Sequence, residues 1–391
     1  MNRIPYGRQD VNQADIEAVV EVLRSDFLTQ GPAVPAFESA VAKYCKAQHA
    51  VAVNSATSAL HIACLALGVG KGDVVWTSPI TFVASANCAR YCGAEVDFVD
   101  INPLTYNLSV EQLKEKLIEA KKTGKLPKVV IPVHLCGQPC DMAGIYALGQ
   151  QYGFRIIEDA SHAIGGKYKG EPIGDCRYSD ITIFSFHPVK IITTGEGGMA
   201  VTNDGKIAKH MRLMRSHGIS SAKEDMVMRP EHEIWNYQQI DLGYNYRITD
   251  IQAALGVSQL QRIDDFIIKR HEIARRYDQL LSDLSVITPV QCSESYSSYH
   301  LYVIRLKLAE SDKVQHQVFN ALQKAGIGAN VHYIPVYRQP YYEHLGFNAG
   351  YCPEAERYFS SAITLPIYPG LSRDDQDFVV KSLSWALLQY D

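Results

Sequence analysis

The chain has 391 residues, 47% of them hydrophobic and 20% charged, a composition that excludes a disordered or fibrous protein and asks for more than one core. A formal net charge of -4 leaves no basic surplus for gripping a phosphate backbone, so nucleic acid is not an expected partner. The opening residues M-N-R-I-P-Y-G-R-Q-D lack the apolar core of a signal peptide, and no apolar run approaches the roughly 18 residues of a membrane span, which predicts a cytoplasmic protein with no membrane partner.

Over the first two-thirds, short apolar runs alternate with amphipathic helical stretches, the pattern of a mostly parallel sheet covered by helices. Seven strands are predicted, at 49–53, 74–77, 95–99, 128–133, 155–158, 180–184 and 198–202, with helices between most of them, such as 58–67 and 110–122. Nine cysteines are scattered through such segments (Cys45, Cys64, Cys88, Cys92), which points to reduced thiols. The tightest group, His134, Cys136 and Cys140, lacks a second pair at zinc-like spacing, so no metal is expected. Residues 220–239 are polar and aperiodic around Pro230 and read as a long loop. From 249 to 284, Ile251, Leu255, Leu260, Ile263, Ile267, Ala274, Tyr277 and Leu281 recur at threes and fours, predicting one long helix that bridges two domains. A strand at 299–306, a helix at 313–324, the segment 329–335 and a last helix at 374–389 suffice for a small α+β domain. The expected organisation is a large α/β domain, 1–255, with an N-terminal arm, 1–12, and a small α+β domain, 256–391.

The chemistry is concentrated in three places. In F-S-F-H-P-V-K-I-I-T-T-G-E-G-G, Lys190 stands among apolar and small residues; it is either a snorkelling surface lysine or a desolvated amine able to attack a carbonyl. In N-S-A-T-S-A-L-H, Thr57 and Ser58 open a helix after a buried strand, and they serve either as plain caps or, with the free N–H groups there, as a phosphate seat. In R-I-I-E-D-A-S-H-A-I-G, Asp159 ends a strand close to His162, as a helix cap or as a carboxylate at the ligand-binding edge of the sheet. Together the three are what pyridoxal phosphate requires: a phosphate cradle, an acid for the pyridinium nitrogen and a Schiff-base lysine. Phe82, in S-P-I-T-F-V-A-S, is either a core aromatic or a ring that stacks on the cofactor. The run G-V-G-K-G-D at 68–73 neither follows a strand nor opens a helix, and it reads as a loop rather than a dinucleotide fingerprint.

These motifs, with L-G-Y-N-Y-R-I-T-D-I-Q-A-A-L and N-V-H-Y-I-P-V, resemble those of the DegT/DnrJ/EryC1/StrS sugar aminotransferases over nearly the whole length. The resemblance implies the aspartate-aminotransferase-like, fold type I architecture, with a mostly parallel seven-stranded sheet in the large domain. It implies pyridoxal 5'-phosphate on Lys190, with Asp159 at the ring nitrogen, Phe82 stacked on the ring and His162 beside it. Thr57, Ser58 and Ser185 would hold the phosphate. It also implies a homodimer with shared active sites, in which Asn245 or Arg247 reaches the phosphate of the neighbouring subunit. The family's dehydratase branch replaces the lysine by histidine, so Lys190 argues for amine transfer.

Within the family, I-P-Y-G-R-Q-D, S-D-F-L-T-Q-G-P and N-V-H-Y-I-P-V-Y are most similar to the pseudaminic-acid branch. That similarity implies a UDP-linked 4-keto-6-deoxy-N-acetylhexosamine as acceptor and L-glutamate, leaving as 2-oxoglutarate, as donor. Tyr6, Asp26, Phe27, Leu28, Thr29, Ser55, His332, Tyr333 and Ile334 would then form the substrate site, although Tyr6 and His332 also read as structural residues. Two rival readings are another nucleotide-sugar aminotransferase (perosamine, bacillosamine or 3-amino sugar type) and a non-catalytic cofactor-binding regulator. The latter would carry DNA-binding segments, and none is visible.

Overall fold

The computed structural model describes residues 3–230, 232–233, 236–307 and 311–389. Its centre is a seven-stranded sheet of β1 (His49–Val53), β2 (Val74–Thr77), β3 (Glu95–Phe98), β4 (Val129–Ile131), β5 (Arg155–Asp159), β6 (Ile181–Ser185) and β7 (Gly198–Thr202). The spatial order is β1-β7-β6-β5-β4-β2-β3, and only β7 runs against its neighbours. The seven predicted strands are found within one residue of their expected ends, except β4, which ends two residues early. Pro132 cuts that strand short, having no N–H to give, and Val133 rejoins as an isolated bridge to Asp159.

The strands are apolar on both faces because helices cover both. In β1, Val51 and Val53 join one core with the helices Ala56–Ala66 and Ala84–Tyr91. Ala50 and Ala52 point the other way, into a core with Ala33–Cys45, Val110–Thr123 and Met142–Tyr152.

The single long helix expected over 249–284 is instead two, Asp250–Leu260 and Ile263–Leu280, interrupted at Gln261 and Arg262. Leu260 and Ile263 are buried on either side of the break, so the hydrophobic period runs straight through it. What marks the interruption is polar: Arg262 reaches Asp10 and Asp15, each at 2.6 Å. Asp15 has no exposed surface and also accepts from Ser258 and Gln259. A buried carboxylate requires such partners, and here they fasten the break to the helix Gln13–Arg24.

Beyond it, Val286–Ile287, Tyr302–Leu306 and Ala362–Leu365 form a second sheet, packed with the helices Ser311–Lys324 and Arg373–Leu387 around a third core. Ile4 of the N-terminal arm belongs to that core and bridges to Ile327. The polar stretch 220–239 is closed at its base by the paired strands Ile219–Ser220 and Gln238–Gln239. Among the described residues no helix is long and apolar enough to cross a membrane, and no group of His, Cys, Asp and Glu is placed to hold a metal. His134 is committed otherwise: Nε2 lies 2.7 Å from Glu158, and Nδ1 accepts the Cys140 amide at 3.1 Å.

Candidate active site

The carboxyl ends of β1, β5 and β6 open onto one cavity of about 630 Å³. Lys190, Asp159, Thr57, Ser55, Phe82, His162 and Ser185 line it from the large sheet's side, Tyr6 from the N-terminal arm, and His332, Tyr333 and Ile334 from the C-terminal part.

The candidate phosphate seat is shaped by a helix cap and one close backbone contact. Ser55 caps the helix Ala56–Ala66, its hydroxyl accepting the Ser58 amide at 3.1 Å, so the helix begins two residues earlier than expected. Thr57 therefore stands in the first turn, where N–H groups are free. Ser58 is turned aside: its hydroxyl donates to Asn54 at 2.6 Å and lies 3.0 Å from that of Ser55, and it does not reach the cavity wall. Gly198 at the start of β7 lies directly beneath, and a Cβ there would be 2.5 Å from the Ala56 nitrogen.

Asp159 is 5% exposed. Its Oδ2 accepts the Ser85 hydroxyl at 2.6 Å and its Oδ1 the Ser161 amide at 3.1 Å. The backbone is fixed as well, donating to Pro132 and accepting from the His134 amide. Each oxygen keeps a lone pair for a ligand.

Lys190 lies half-buried on the connection from β6 to β7. Phe186 donates to the Gly197 carbonyl at 2.9 Å, and Thr194 to that of Phe186 at 3.0 Å, closing the loop that carries it. Burial pushes its ammonium down to about 8, against the opposing pull of Asp159. An appreciable share of the amine is therefore neutral near pH 7 and nucleophilic.

His162 accepts the Cys136 amide on Nδ1 at 3.3 Å. The network thus assigns its proton to Nε2, which faces the Tyr333 hydroxyl at 3.2 Å. Burial, and secondarily Lys190, push its pKa well below the usual histidine range, so the ring is neutral. Burial likewise pushes His332 down to about 3; its Nδ1 lies 2.8 Å from the Thr364 hydroxyl and its ring 5.3 Å from Tyr6. Phe82 is 59% exposed despite lining the cavity, an open aromatic face.

Not every expected residue converges. Asp26, Phe27, Leu28 and Thr29 form an exposed loop whose Leu28 carbonyl accepts the Asp250 amide at 3.1 Å, away from the cavity of their own chain. Asn245 and Arg247 flank Tyr246, beside Ser216 and Asn54, also outside it. Conversely, Ser85, Thr81, His187, Glu196, Asn330 and Gln339 take part in the site without having been singled out in the sequence. Ser85 had one usable signal, since it follows Phe82 by three residues at a helix start, where its amide donates to the Phe82 carbonyl.

A phosphate seat at a helix start, a buried carboxylate with free lone pairs, a partly neutral lysine and an exposed aromatic face fit pyridoxal phosphate on the donor chemistry alone. The profile of the "DegT/DnrJ/EryC1/StrS aminotransferase family" matches residues 9–384. The "Spore coat polysaccharide biosynthesis protein SpsC" of Bacillus subtilis is 38% identical over 97% of this chain and 96% of its own. The "UDP-4-amino-4,6-dideoxy-N-acetyl-beta-L-altrosamine transaminase" of Campylobacter jejuni is 36% identical over 97% and 96%. Among solved structures, Helicobacter pylori PseC, an aminotransferase of pseudaminic acid biosynthesis, superposes with a TM-score of 0.90 at 30% identity over 100% of both chains. Other solved relatives are PLP and PMP forms of a sugar aminotransferase. The chain belongs to the DegT/DnrJ/EryC1/StrS family and is a sugar aminotransferase whose cofactor is pyridoxal phosphate.

Proposed function

We propose that the protein moves the amino group of L-glutamate to C4 of a UDP-linked 4-keto-6-deoxy-N-acetylhexosamine, a step of pseudaminic acid synthesis, and that it does so as a homodimer. The observation that carries the reading is the partly neutral Lys190 in one cavity with Asp159, Thr57 and Ser185. The Campylobacter transaminase and the PseC superposition support the choice of sugar.

Bound there, the cofactor supplies an electron sink that allows an amino group to leave one carbon and join another. Lys190 Nζ takes the proton from the donor's α-carbon in the first half-reaction and delivers one to C4 of the sugar in the second. Asp159 holds a proton on the ring nitrogen, an ion pair that matters most as charge builds up. Thr57, Ser185 and the helix start bind the phosphate, and Phe82 and His162 keep the ring in place. Tyr6, Ser55, His332, Tyr333 and Ile334 orient the sugar and exclude water. Asn245 or Arg247, and the loop Asp26 to Thr29, reach the neighbouring subunit's site, the arrangement under which residues outside their own chain's cavity still serve one.

The test is incubation of the purified protein with L-glutamate and the UDP-linked 4-keto sugar, with mass spectrometry of the sugar and assay of 2-oxoglutarate. Formation of both products supports the reading; no 2-oxoglutarate with that sugar, but turnover of another, rejects it. The 38% identity to the spore-coat protein favours a second reading, amination of a different nucleotide-linked keto sugar. A panel of UDP- and dTDP-linked keto sugars separates the two.

A further inference from the structure

Behind the cofactor cavity, and not part of it, lies a group of thiols around one histidine. Cys88 and Cys92 are one turn apart on the helix Ala84–Tyr91, with Cys92 as its C-cap. Cys64 stands in the last turn of Ala56–Ala66, packed in the same apolar core. Cys64 and Cys88 are buried, whereas Cys92 is partly exposed. His61, one turn before Cys64, completes the group: its Nδ1 lies 3.1 Å from the Tyr246 hydroxyl. Its Nε2 is buried without a hydrogen-bond partner among the described residues. Its ring lies 5.5 Å from that of Tyr91, the residue before Cys92, so the histidine stands at the thiol group's edge.

The electrostatics agree with the geometry. The Cys64 thiol beside it, and then His61, hold Cys92 down to about 6 against its burial, whereas Cys64 itself is held well above the usual range by its two thiol neighbours and by burial. A partly exposed thiolate next to a protonated, buried thiol is the arrangement of a reactive cysteine with a resolving partner.

We propose that Cys92 is a peroxide-reactive thiol and Cys64 its resolving partner, forming an oxidation site distinct from the transamination chemistry. In the first step the Cys92 thiolate attacks one peroxide oxygen. The O–O bond breaks, the other oxygen leaves as hydroxide or alkoxide, and Cys92 is oxidised by two electrons to the sulfenic acid. In the second, the Cys64 sulfur attacks Cys92, the S–O bond breaks, and water departs with the Cys64 proton, leaving a disulfide. That bond would join the last turn of the helix whose first turn seats the phosphate to the end of the helix whose first turn follows Phe82.

The test uses the holoenzyme and its own internal control, the exposed Cys292, whose thiol burial pushes up. At pH 7 iodoacetamide should alkylate Cys92 about tenfold faster than Cys292, a thiolate advantage that outweighs the lower nucleophilicity of an acidic thiol. Hydrogen peroxide should then yield a Cys64–Cys92 cross-linked peptide in the mass spectrum, removed by dithiothreitol, absent in Cys92→Ser and retained in Cys88→Ser. Faster labelling of Cys292, or peroxide treatment that leaves Cys64 and Cys92 unlinked in the wild-type protein, overturns the proposal.

Discussion

Ser85 donates its hydroxyl proton to Asp159 across 2.6 Å, inside the core and one helical turn from Phe82. The carboxylate assigned to the cofactor's ring nitrogen is therefore aimed by a side chain from a different strand-to-helix connection. In Ser85→Ala the Oδ2 of Asp159 loses its donor. A hydrogen bond to a charged group contributes roughly 1.5–3 kcal/mol, so turnover should fall by about one to two orders of magnitude, with tighter loss in kcat than in KM. Steady-state kinetics checks this, and unchanged kcat would remove Ser85 from the site. Asp159→Asn, which removes the charge itself, should cost more than Ser85→Ala.

The depressed Lys190 gives a pH dependence with a definite sign. Its amine is charged below about 8 and neutral above. Capture of pyridoxal phosphate by the cofactor-free protein should accelerate as pH rises through about 8, not through the ordinary lysine value. Stopped-flow absorbance measures the midpoint. In Lys190→Ala the absorbance of the lysine-bound cofactor and all turnover should vanish together.

Gly198 has an ordinary backbone conformation, so its role is spatial: the backbone of Ser55 and Ala56 lies where a Cβ would go. Gly198→Ala must push the start of the helix Ala56–Ala66 outward. Overpacking of this kind costs about 1–3 kcal/mol, and here the strain falls on the phosphate seat. The expected outcome is weaker cofactor retention on dialysis with a smaller change in melting temperature. Cofactor held as tightly as in the wild type would contradict it.

Asn245 and Arg247 stand outside their own chain's cavity. If they serve the neighbouring subunit, mixing Lys190→Ala with Arg247→Ala or Asn245→Ala should restore part of the activity, because one of the two sites in a mixed dimer is then intact. Titrating one inactive variant into the other measures this. Activity that stays at the level of the separate variants argues for sites complete within one chain.

The sheet was legible in the sequence because its strands are apolar on both faces and separated by helical periods. That Lys190, Asp159, Thr57, Phe82, His162 and Ser185 line one cavity could be anticipated because each lies at or just beyond a strand end or at a helix start, on motifs that local pattern reveals. The Ser85–Asp159 bond and the Gly198 contact could not, since both join residues far apart in the chain. The break at Gln261 and Arg262 was hidden for another reason: Leu260 and Ile263 keep the apolar period unbroken, and only the distant Asp10 and Asp15 distinguish two helices from one. Ser58 lies outside the cavity lining for a local reason: the helix starts at Ala56, and the Ser58 hydroxyl bonds to Asn54.

β7 runs antiparallel between β1 and β6, pairing Val53 with Gly198 on one side and Ser185 with Gly198 on the other. One glycine is thus the common reference point for the helix Ala56–Ala66, for Ser185 and for the loop that carries Lys190. Lengthening or shortening 186–197 by a single residue would displace the amine while leaving the phosphate seat where it is. That loop should therefore tolerate substitution but not insertion or deletion, whereas 220–239, none of whose described residues lines the cavity, is where changes of length can accumulate without cost to the chemistry.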